Sequence, residues 1–277
     1  MSVTDGGLNP GRQVAVFVDW ENLAAGAGKG LPRQANPVPY EALTRLCLDY
    51  GNAVIRKAYA DWGQFTRFHE NLAMNGVDMI QVTKVGASAK NAADIRMTVD
   101  AMETIFTHPA VEVFVLVTGD SDYSPLVRRL REYGKWVVGV GTEANASRLL
   151  VSVCSEYKFW GTLVAAVDPA ARTAVSTAFD IRSAARLLLR AFEECTTDNP
   201  TAGTLKNKML ILDPSFDEHN YGCKNFRDFL SRFPRQVKTV GKSGADITLA
   251  LVSNGTPTSA SAMARTTGDE PAALQRP

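Results

Sequence analysis

Short apolar runs alternate with amphipathic segments along the first 160 residues, which is the pattern of an α/β protein. Runs of mostly β-branched and aromatic residues predict strands at 14–18, 53–60, 77–83, 113–117 and 136–140. Such continuous runs are typical of strands buried on both faces of a parallel sheet. Helical spacing predicts helices at 39–50, 64–74, 92–106 and 146–153, and one between the fourth strand and Gly134. The order predicts a doubly wound parallel sheet, with a flexible, glycine-rich loop after Asn22.

Beyond the sheet, a second and smaller folded unit is predicted. Residues 162–177 are rich in Ala, Val and Thr and show no period, which predicts a linker. Helical segments then precede two short strands separated by Gly241-Lys-Ser-Gly244, an order that predicts a winged helix-turn-helix. The predicted divisions are a disordered tail at 1–11, an α/β domain at 12–160, a linker at 161–178, a winged-helix domain at 179–253 and a disordered tail at 254–277.

Composition and charge exclude few functions. The chain of 277 residues is 45% hydrophobic and 21% charged, with a net charge of +1, which is ordinary for a globular protein. Its four cysteines are widely spaced and form no metal-binding motif, so reduced thiols and a cytoplasmic location are expected. The sequence shows neither a signal peptide nor an apolar run of membrane-spanning length, so no membrane partner is expected.

Acidic residues follow the predicted strands at positions that can converge. Asp19 ends the first strand, Asp120 and Asp122 follow the fourth, and Asp94 begins the helix after the third. In a doubly wound sheet the first and fourth strands are neighbours, and ligands bind beyond their carboxyl ends. Clustered carboxylates repel unless a cation neutralises them, and hard oxygen ligands without His or Cys favour Mg²⁺ or Mn²⁺. Asn22 adds a neutral oxygen or an amide donor that suits a metal-bound water or a phosphate.

Each acid also has an ordinary structural explanation. An aspartate at the end of a strand often caps a helix or forms a turn. Asp94 can simply favour a helix N-terminus, and Asp122 can cap the helix that begins near Ser124. The joint arrival of four acids at one sheet edge is what favours a site over these separate roles.

Four motifs of this region resemble those of the NYN domains, which are PIN-like nucleases and include the bacterial LabA-type group. The motifs are Val16-Phe-Val-Asp-Trp-Glu-Asn22, Lys90-Asn-Ala-Ala-Asp-Ile95, Thr118-Gly-Asp-Ser-Asp-Tyr-Ser-Pro125 and the segment 154–159, in the family's order and spacing over residues 12–160. The resemblance implies a ribonuclease fold that depends on Mg²⁺ or Mn²⁺. The implied metal ligands are Asp19, Asp94, Asp120 and Asp122, and the implied catalytic residues are these four and Asn22.

Candidate substrate contacts are basic or aromatic residues beside these acids. Lys84 and Lys90 flank a small-residue loop next to the predicted metal site and are predicted to contact phosphate. Arg128 lies on the helix after the acidic turn, where charged residues are otherwise only solvated. Trp20 stands where the family usually has a small residue, and Tyr123 where Phe is common. Trp20 is predicted to narrow the cleft or to stack on a base.

The C-terminal unit resembles the LOTUS domain, which is also called OST-HTH. The resemblance covers about residues 179–253 and is carried by Phe216-Asp217, Asn220-Tyr-Gly222 and Phe229-Leu230. It implies a module that recruits RNA, and such winged helices also bind protein partners. Between residues 206 and 242, eight basic residues stand against four acidic ones, and the excess of four positive charges fits a modest nucleic-acid surface.

We therefore expect a metal-dependent endoribonuclease that acts on single-stranded RNA and recruits it through the C-terminal unit. A homodimer is compatible with the sequence. The alternative is a non-catalytic RNA-binding scaffold that uses the same cleft without turnover. A metal-dependent phosphatase is a weaker alternative, because no Asp-x-Asp-x-Thr nucleophile motif follows the first strand.

Overall fold

The larger unit of the protein is a six-stranded parallel sheet. The computed structural model describes residues 11–27, 39–83, 91–168 and 179–252. The strands are β1 (Gln13–Asp19), β2 (Asn52–Ala60), β3 (Asp78–Gln81), β4 (Val111–Val117), β5 (Trp136–Gly141) and β6 (Glu156–Phe159). Their order is β3-β2-β1-β4-β5-β6, and every neighbouring pair is parallel. The predicted doubly wound parallel sheet is confirmed, with its switch point between β1 and β4.

Helices cover both faces of this sheet. They are α1 (Trp20–Ala27), α2 (Tyr40–Tyr50), α3 (His69–Met74), α4 (Ala92–Thr107), α5 (Ser124–Glu132), α6 (Arg148–Val153) and α7 (Trp160–Val167). Residues of α1, α2, α3 and α7 join the apolar core on one face, and residues of α4, α5 and α6 join the core on the other. The two cores together enclose the central strands.

The central strands are buried because their side chains alternate between these two cores. Val14, Val16 and Val18 pack into the core of α1 and α2, whereas Phe17 points to the opposite core and stacks on Phe114 of β4. The two rings lie 6.1 Å apart with planes 7° from parallel. Burial on both faces is the physical reason that the strand sequences are continuously apolar.

The structure corrects three element predictions. The loop predicted after Asn22 is helical through Ala27, and residues 28–38 lie outside the described residues. The predicted linker at 161–178 begins as α7, whose apolar residues pack on α2, and its residues 169–178 lie outside the described residues. The predicted helix at 64–74 is α3 preceded by two 3-10 turns, at Trp62–Gln64 and Thr66–Phe68. Strand β6 was not predicted, because a strand of four residues is too short to show a clear hydrophobic pattern.

The C-terminal unit has its own apolar core. Its elements are α8 (Ile181–Glu193), α9 (Ala202–Leu212), α10 (Phe226–Ser231) and the antiparallel strands β7 (Val237–Ser243) and β8 (Asp246–Leu251). The predicted helices and the β-hairpin are thus present. Phe229 and Leu205 are fully buried at the centre of this core. The predicted tails, at 1–11 and 254–277, lie almost wholly outside the described residues.

Buried polar contacts join the two units. Tyr157 of β6 donates its backbone N–H to the carbonyl of Pro214 at 2.7 Å. Lys158 forms an ion pair with Asp217 at 2.8 Å. Next to them, Thr162 of α7 donates to Asn220 at 2.7 Å. These contacts hold the loop at 214–221 against the last strand of the sheet. Among the helices of the described ranges, none is both long and apolar enough to cross a membrane.

Candidate active site at the carboxyl edge of the sheet

Asp19 is the buried centre of the acidic edge. It ends β1 beside the switch point, is 6% exposed, and accepts the backbone N–H of Asn22 at 3.1 Å. Burial raises the pKa of Asp19 to about 7, although the hydrogen bond from Asn22 opposes this rise. The negative charges of Asp94, Glu21 and Asp120 add to it. The carboxylate therefore lies in a pocket of negative potential that a cation would relieve.

Asp94 reaches the same edge from the first turn of α4. Its Oδ1 accepts the hydroxyl of Tyr123 at 2.8 Å, and Tyr123 is fully buried. Burial raises the pKa of Asp94, the Tyr123 hydrogen bond lowers it, and the charges of Asp120 and Asp122 raise it. Tyr123 therefore fixes the orientation of one acid.

Asp120 and Asp122 lie on the short 3-10 turn that joins β4 to α5. Asp120 is half-buried, and its Oδ1 accepts the backbone N–H of Asp122 at 3.0 Å. Within the described part of the chain, no hydrogen bond or ion pair uses the second oxygen of Asp120. Asp122 itself is exposed and does not cap α5 through its side chain. Asp120 therefore caps the 3-10 turn, whereas the predicted capping of α5 by Asp122 is wrong.

Gly119 is needed for the position of this turn. A Cβ atom at residue 119 would lie 2.5 Å from the backbone oxygen of Asn145 and 2.7 Å from its carbonyl carbon. Ser147 also donates its backbone N–H to the oxygen of Gly119 at 3.0 Å. The loop after β5 therefore packs directly on the glycine, and any side chain there would displace the acidic turn.

Asn22 has a structural task that the sequence did not reveal. Its Oδ1 accepts the backbone N–H of Gly119 at 3.1 Å, and its carbonyl accepts the amide of Asn145 at 3.3 Å. The side-chain oxygen predicted for a water or phosphate is thus already used to tie α1 to the acidic turn. No residue of the described ranges accepts a hydrogen bond from the amide nitrogen of Asn22, so this nitrogen can contact a ligand.

Glu21 is an acidic neighbour that the sequence interpretation did not include. It lies in the first turn of α1, and its charge raises the pKa of both Asp19 and Asp94. Its Oε1 accepts the backbone N–H of Asp61, beyond the end of β2, at 3.0 Å. Glu21 is part of the Asp19-Trp-Glu-Asn22 motif. It lies two positions beyond the strand end, and the sequence does not indicate which way its side chain points.

The predicted metal ligands interact electrostatically but do not form a ready-made metal site. In the part of the chain that the structure describes, no three His, Cys, Asp or Glu side chains are grouped closely enough to hold a metal ion. The donor chemistry suits Mg²⁺ or Mn²⁺, because the four aspartates are hard oxygen donors. A bound ion would have to draw the carboxylates closer together.

The predicted substrate contacts have different outcomes. Trp20 is wrong as a stacking residue, because its ring is fully buried and packs against Trp62 and Phe68 at 5.7 and 5.1 Å between centroids. Its ring fills the core under α1, and so it cannot meet a base. Lys84 and Lys90 lie outside the described residues.

Arg128 is available on α5. It is exposed, and no hydrogen bond or ion pair joins it to another residue of the described ranges. Its neighbours are occupied: Arg129 pairs with Glu132 at 2.7 Å, and Arg131 donates to the carbonyl of Val153 at 2.7 Å. Of the three arginines on this helix, Arg128 is thus the one that a phosphate could contact without breaking an existing interaction.

Known proteins are similar to this chain in the α/β unit that carries the acidic edge. The model of the NYN domain family matches residues 13–161, which is more than half of the chain. An uncharacterized protein of Methanocaldococcus jannaschii is 25% identical over 141 residues, which are 51% of this chain and 52% of that protein. The chain therefore spans about half the length of this curated relative.

A solved structure covers a similar share of the chain. It is the crystal structure of a protein of unknown function from Vibrio parahaemolyticus, with 25% sequence identity and a TM-score of 0.46. It covers 55% of this chain, and the match includes 94% of that protein. From the family match and the six-stranded parallel sheet, the chain belongs to the NYN domain family, whose fold is that of the PIN-like nucleases.

Proposed function

We propose that this protein is a Mg²⁺- or Mn²⁺-dependent endoribonuclease that acts on single-stranded RNA. The observation that carries the proposal is the negative potential at the carboxyl ends of β1 and β4. Asp19 is buried there with a pKa of about 7, beside three further acids whose charges raise it. A protein that needed these carboxylates only as caps would not benefit from holding them together, since each opposes the ionisation of the others.

The four predicted ligands would together form the metal site. Asp19, Asp94, Asp120 and Asp122 would hold the divalent ion, with Asp94 oriented by Tyr123. When bound, such an ion supplies a Lewis acid for the phosphodiester and lowers the pKa of an attacking water. The chain itself contributes fixed carboxylates and a rigid turn, which Gly119 allows to pack against the loop after β5.

The substrate would be positioned by residues around this edge. The amide nitrogen of Asn22 can donate to a phosphate oxygen, because the oxygen of that side chain is already bonded to Gly119. Arg128 is exposed on α5 beyond the acidic turn. Lys84 and Lys90, which precede α4 in the chain, would add positive charge. This charge offsets the repulsion between RNA and the acidic edge.

The C-terminal unit would recruit RNA as a winged-helix domain of LOTUS type. Its hairpin, α10 and the residues on either side of α10 include exposed basic side chains that form no ion pair with any other described residue. They are Lys224, Arg227, Arg232, Arg235, Lys238 and Lys242. In contrast, Lys206 is paired with the buried Glu218 at 2.8 Å and has a structural role. Unpaired surface cations release counterions on binding phosphate, so these residues suit RNA better than a neutral partner.

Cleavage of labelled single-stranded RNA with Mn²⁺, and with EDTA in its place, tests the proposal. Asp120→Asn should lower the rate by at least about 100-fold, because a ligand is lost while the amide can still cap the turn. Asp78→Asn is the matched control, since Asp78 begins β3 at the opposite edge of the same sheet. Equal rates for Asp120→Asn and the wild type would remove Asp120 from the reaction.

A non-catalytic RNA-binding scaffold is the second candidate. It is favoured by the lack of a ready-made three-ligand group among the described residues. A scaffold would bind RNA with the same affinity in EDTA and in Mn²⁺, and would give no product with either. Titration calorimetry with Mn²⁺ alone separates the two functions, because the nuclease requires heat of binding that Asp120→Asn diminishes.

A further inference from the structure

The outward side of α4 carries an apolar stripe with no described partner. The helix buries Met97 and Ala101 against the sheet, which is normal for an amphipathic helix. On the other side, Ile95, Val99 and Phe106 are 64%, 55% and 67% exposed. Spacings of four and seven residues place these three side chains in one row along the helix. Contiguous apolar surface of this kind marks an interaction site more often than isolated exposed residues do.

The stripe continues beyond α4. The ring of Phe106 makes an edge contact with Tyr133 at the end of α5, with centroids 6.0 Å apart, and Tyr133 is 48% exposed. Met102 lies between Val99 and Phe106 along the helix and is partly buried. The apolar surface therefore spans three turns of α4 and reaches the neighbouring helix.

Two opposite charges flank the stripe on one side. Arg96 and Glu103 are exposed and seven residues apart, so they project in similar directions two turns from each other. Arg96 uses its Nε to contact the buried Asp100 at 3.1 Å, which leaves the other guanidinium N–H groups for a second carboxylate. Glu103 has no ion pair with any residue of the described ranges.

We propose that α4 packs antiparallel against α4 of a second copy, about a two-fold axis between Val99 and Asp100. Arg96 and Glu103 each lie 3.5 residues from this point, or about 5 Å along the axis at 1.5 Å per residue. A two-fold rotation therefore places Arg96 of one copy opposite Glu103 of the other, twice in the dimer. The same rotation brings Ile95 of each copy between Met102 and Phe106 of its partner.

The charges beside the stripe favour a second copy of the chain as its partner. One positive and one negative charge give no net attraction for RNA phosphates, so nucleic acid is disfavoured on this face. A different protein would need a complementary order of charges, whereas the spacing of Arg96 and Glu103 makes the surface complementary to itself. The inference does not depend on the proposed nuclease activity.

Sedimentation velocity of the full chain at concentrations of about 1–100 μM tests the dimer. The wild type should show a concentration-dependent dimer, and Val99→Glu should raise its dissociation constant by at least about 30-fold, since a central interface residue changes in both copies. Ile211→Glu is the control, because Ile211 on α9 is 73% exposed and away from α4. A wild type that stays monomeric at every concentration overturns the proposal, as does a dimer that Val99→Glu leaves unchanged.

Charge reversal tests the antiparallel geometry itself. Glu103→Arg places two arginines opposite each other and should weaken the dimer, and Arg96→Glu/Glu103→Arg should restore it. The melting temperature of each variant is measured in parallel, because Arg96→Glu also loses the contact with Asp100. If the double variant folds and dimerises less well than Glu103→Arg alone, the pairing of Arg96 with Glu103 across the two-fold axis is wrong.

Discussion

Lys158→Met is expected to destabilise the protein strongly, because Lys158 serves as the counter-charge for two buried acids where the units meet. Its Nζ lies 2.8 Å from Asp217 and 3.2 Å from Glu156. The side chains of all three are largely buried, with exposures of 17%, 13% and 15%. Tyr50 donates a further hydrogen bond to Glu156 at 2.7 Å. Methionine fills a similar volume but removes the charge.

The magnitude follows from leaving two carboxylates without their cation. Removing one partner of a buried ion pair costs about 3–5 kcal/mol, since the remaining charge stays desolvated. The hydrogen bonds from Tyr50 and His219 remain and reduce this loss, so we expect about 3 kcal/mol for Lys158→Met. Lys158→Met/Asp217→Asn should be less destabilised than the sum of the two single variants, because the contact between these residues is counted twice in that sum.

The same cluster predicts a pH dependence. Burial alone would raise the pKa of Asp217, but the ammonium of Lys158 and the hydrogen bond with His219 hold it well below its usual value. This stabilisation is complete above the unfolded pKa, about 3.9, and is lost as the pH falls through the lower folded pKa. The hydrogen bond to Asp217 raises the pKa of His219, so its contribution is complete below about pH 6.5 and is lost as the pH rises through the folded value.

Urea denaturation, followed by tryptophan fluorescence between pH 3 and pH 8, measures both effects. In Asp217→Asn, the free energy of unfolding should fall less steeply at both the acidic and the basic end of this pH range. Arg129→Met is the control, since its ion pair with Glu132 is about 60% exposed on both sides and is worth less than about 1 kcal/mol. If Lys158→Met costs no more stability than Arg129→Met, the cluster around Lys158 does not stabilise the fold.

Three further predictions concern the acidic edge and the RNA surface. Asp19→Asn should stabilise the metal-free protein at pH 8 by up to about 4 kcal/mol and give no gain below pH 4 in urea denaturation, because a pKa raised to about 7 makes the ionised form of Asp19 unfavourable above its unfolded value. Tyr123→Phe should cost about 1 kcal/mol and weaken Mn²⁺ binding measured by calorimetry, since Asp94 loses its hydrogen bond; an unchanged affinity would contradict the orienting role. Lys238→Ala/Lys242→Ala should reduce the slope of log K against log salt for RNA by up to roughly two units, and parallel lines of equal height would place RNA elsewhere.

The sequence by itself determined the sheet and the elements that carry the acids. Strands that are buried on both faces must be apolar at every position. The apolar runs at 14–18 and 113–117 therefore predicted strands. The pairing of the first strand with the fourth then followed from the general order of doubly wound sheets, and the structure has it. The approach of Asp19 to Asp120 at one edge is a direct consequence.

The side-chain directions of the residues on α1 could be determined only from the tertiary structure. Trp20 follows an acidic residue in a motif, and only the packing of α1 onto the sheet decided that its ring points into the core. The same packing turned the oxygen of Asn22 towards Gly119 and brought Glu21 near Asp19. In a helix, one residue changes direction by about 100°, so the side that a short helix buries is set by its contacts.

The junction between the units was decided by tertiary structure alone. Lys158 and Asp217 are 59 residues apart in the chain, and neither has a local pattern that indicates a buried partner. A lone lysine in a short strand and an aspartate in a turn both look like surface residues, because exposed positions are their usual place. Burial of the pair became favourable only when β6 and the loop at 214–221 met, since opposite charges stabilise each other in the interior only once folding has brought them together.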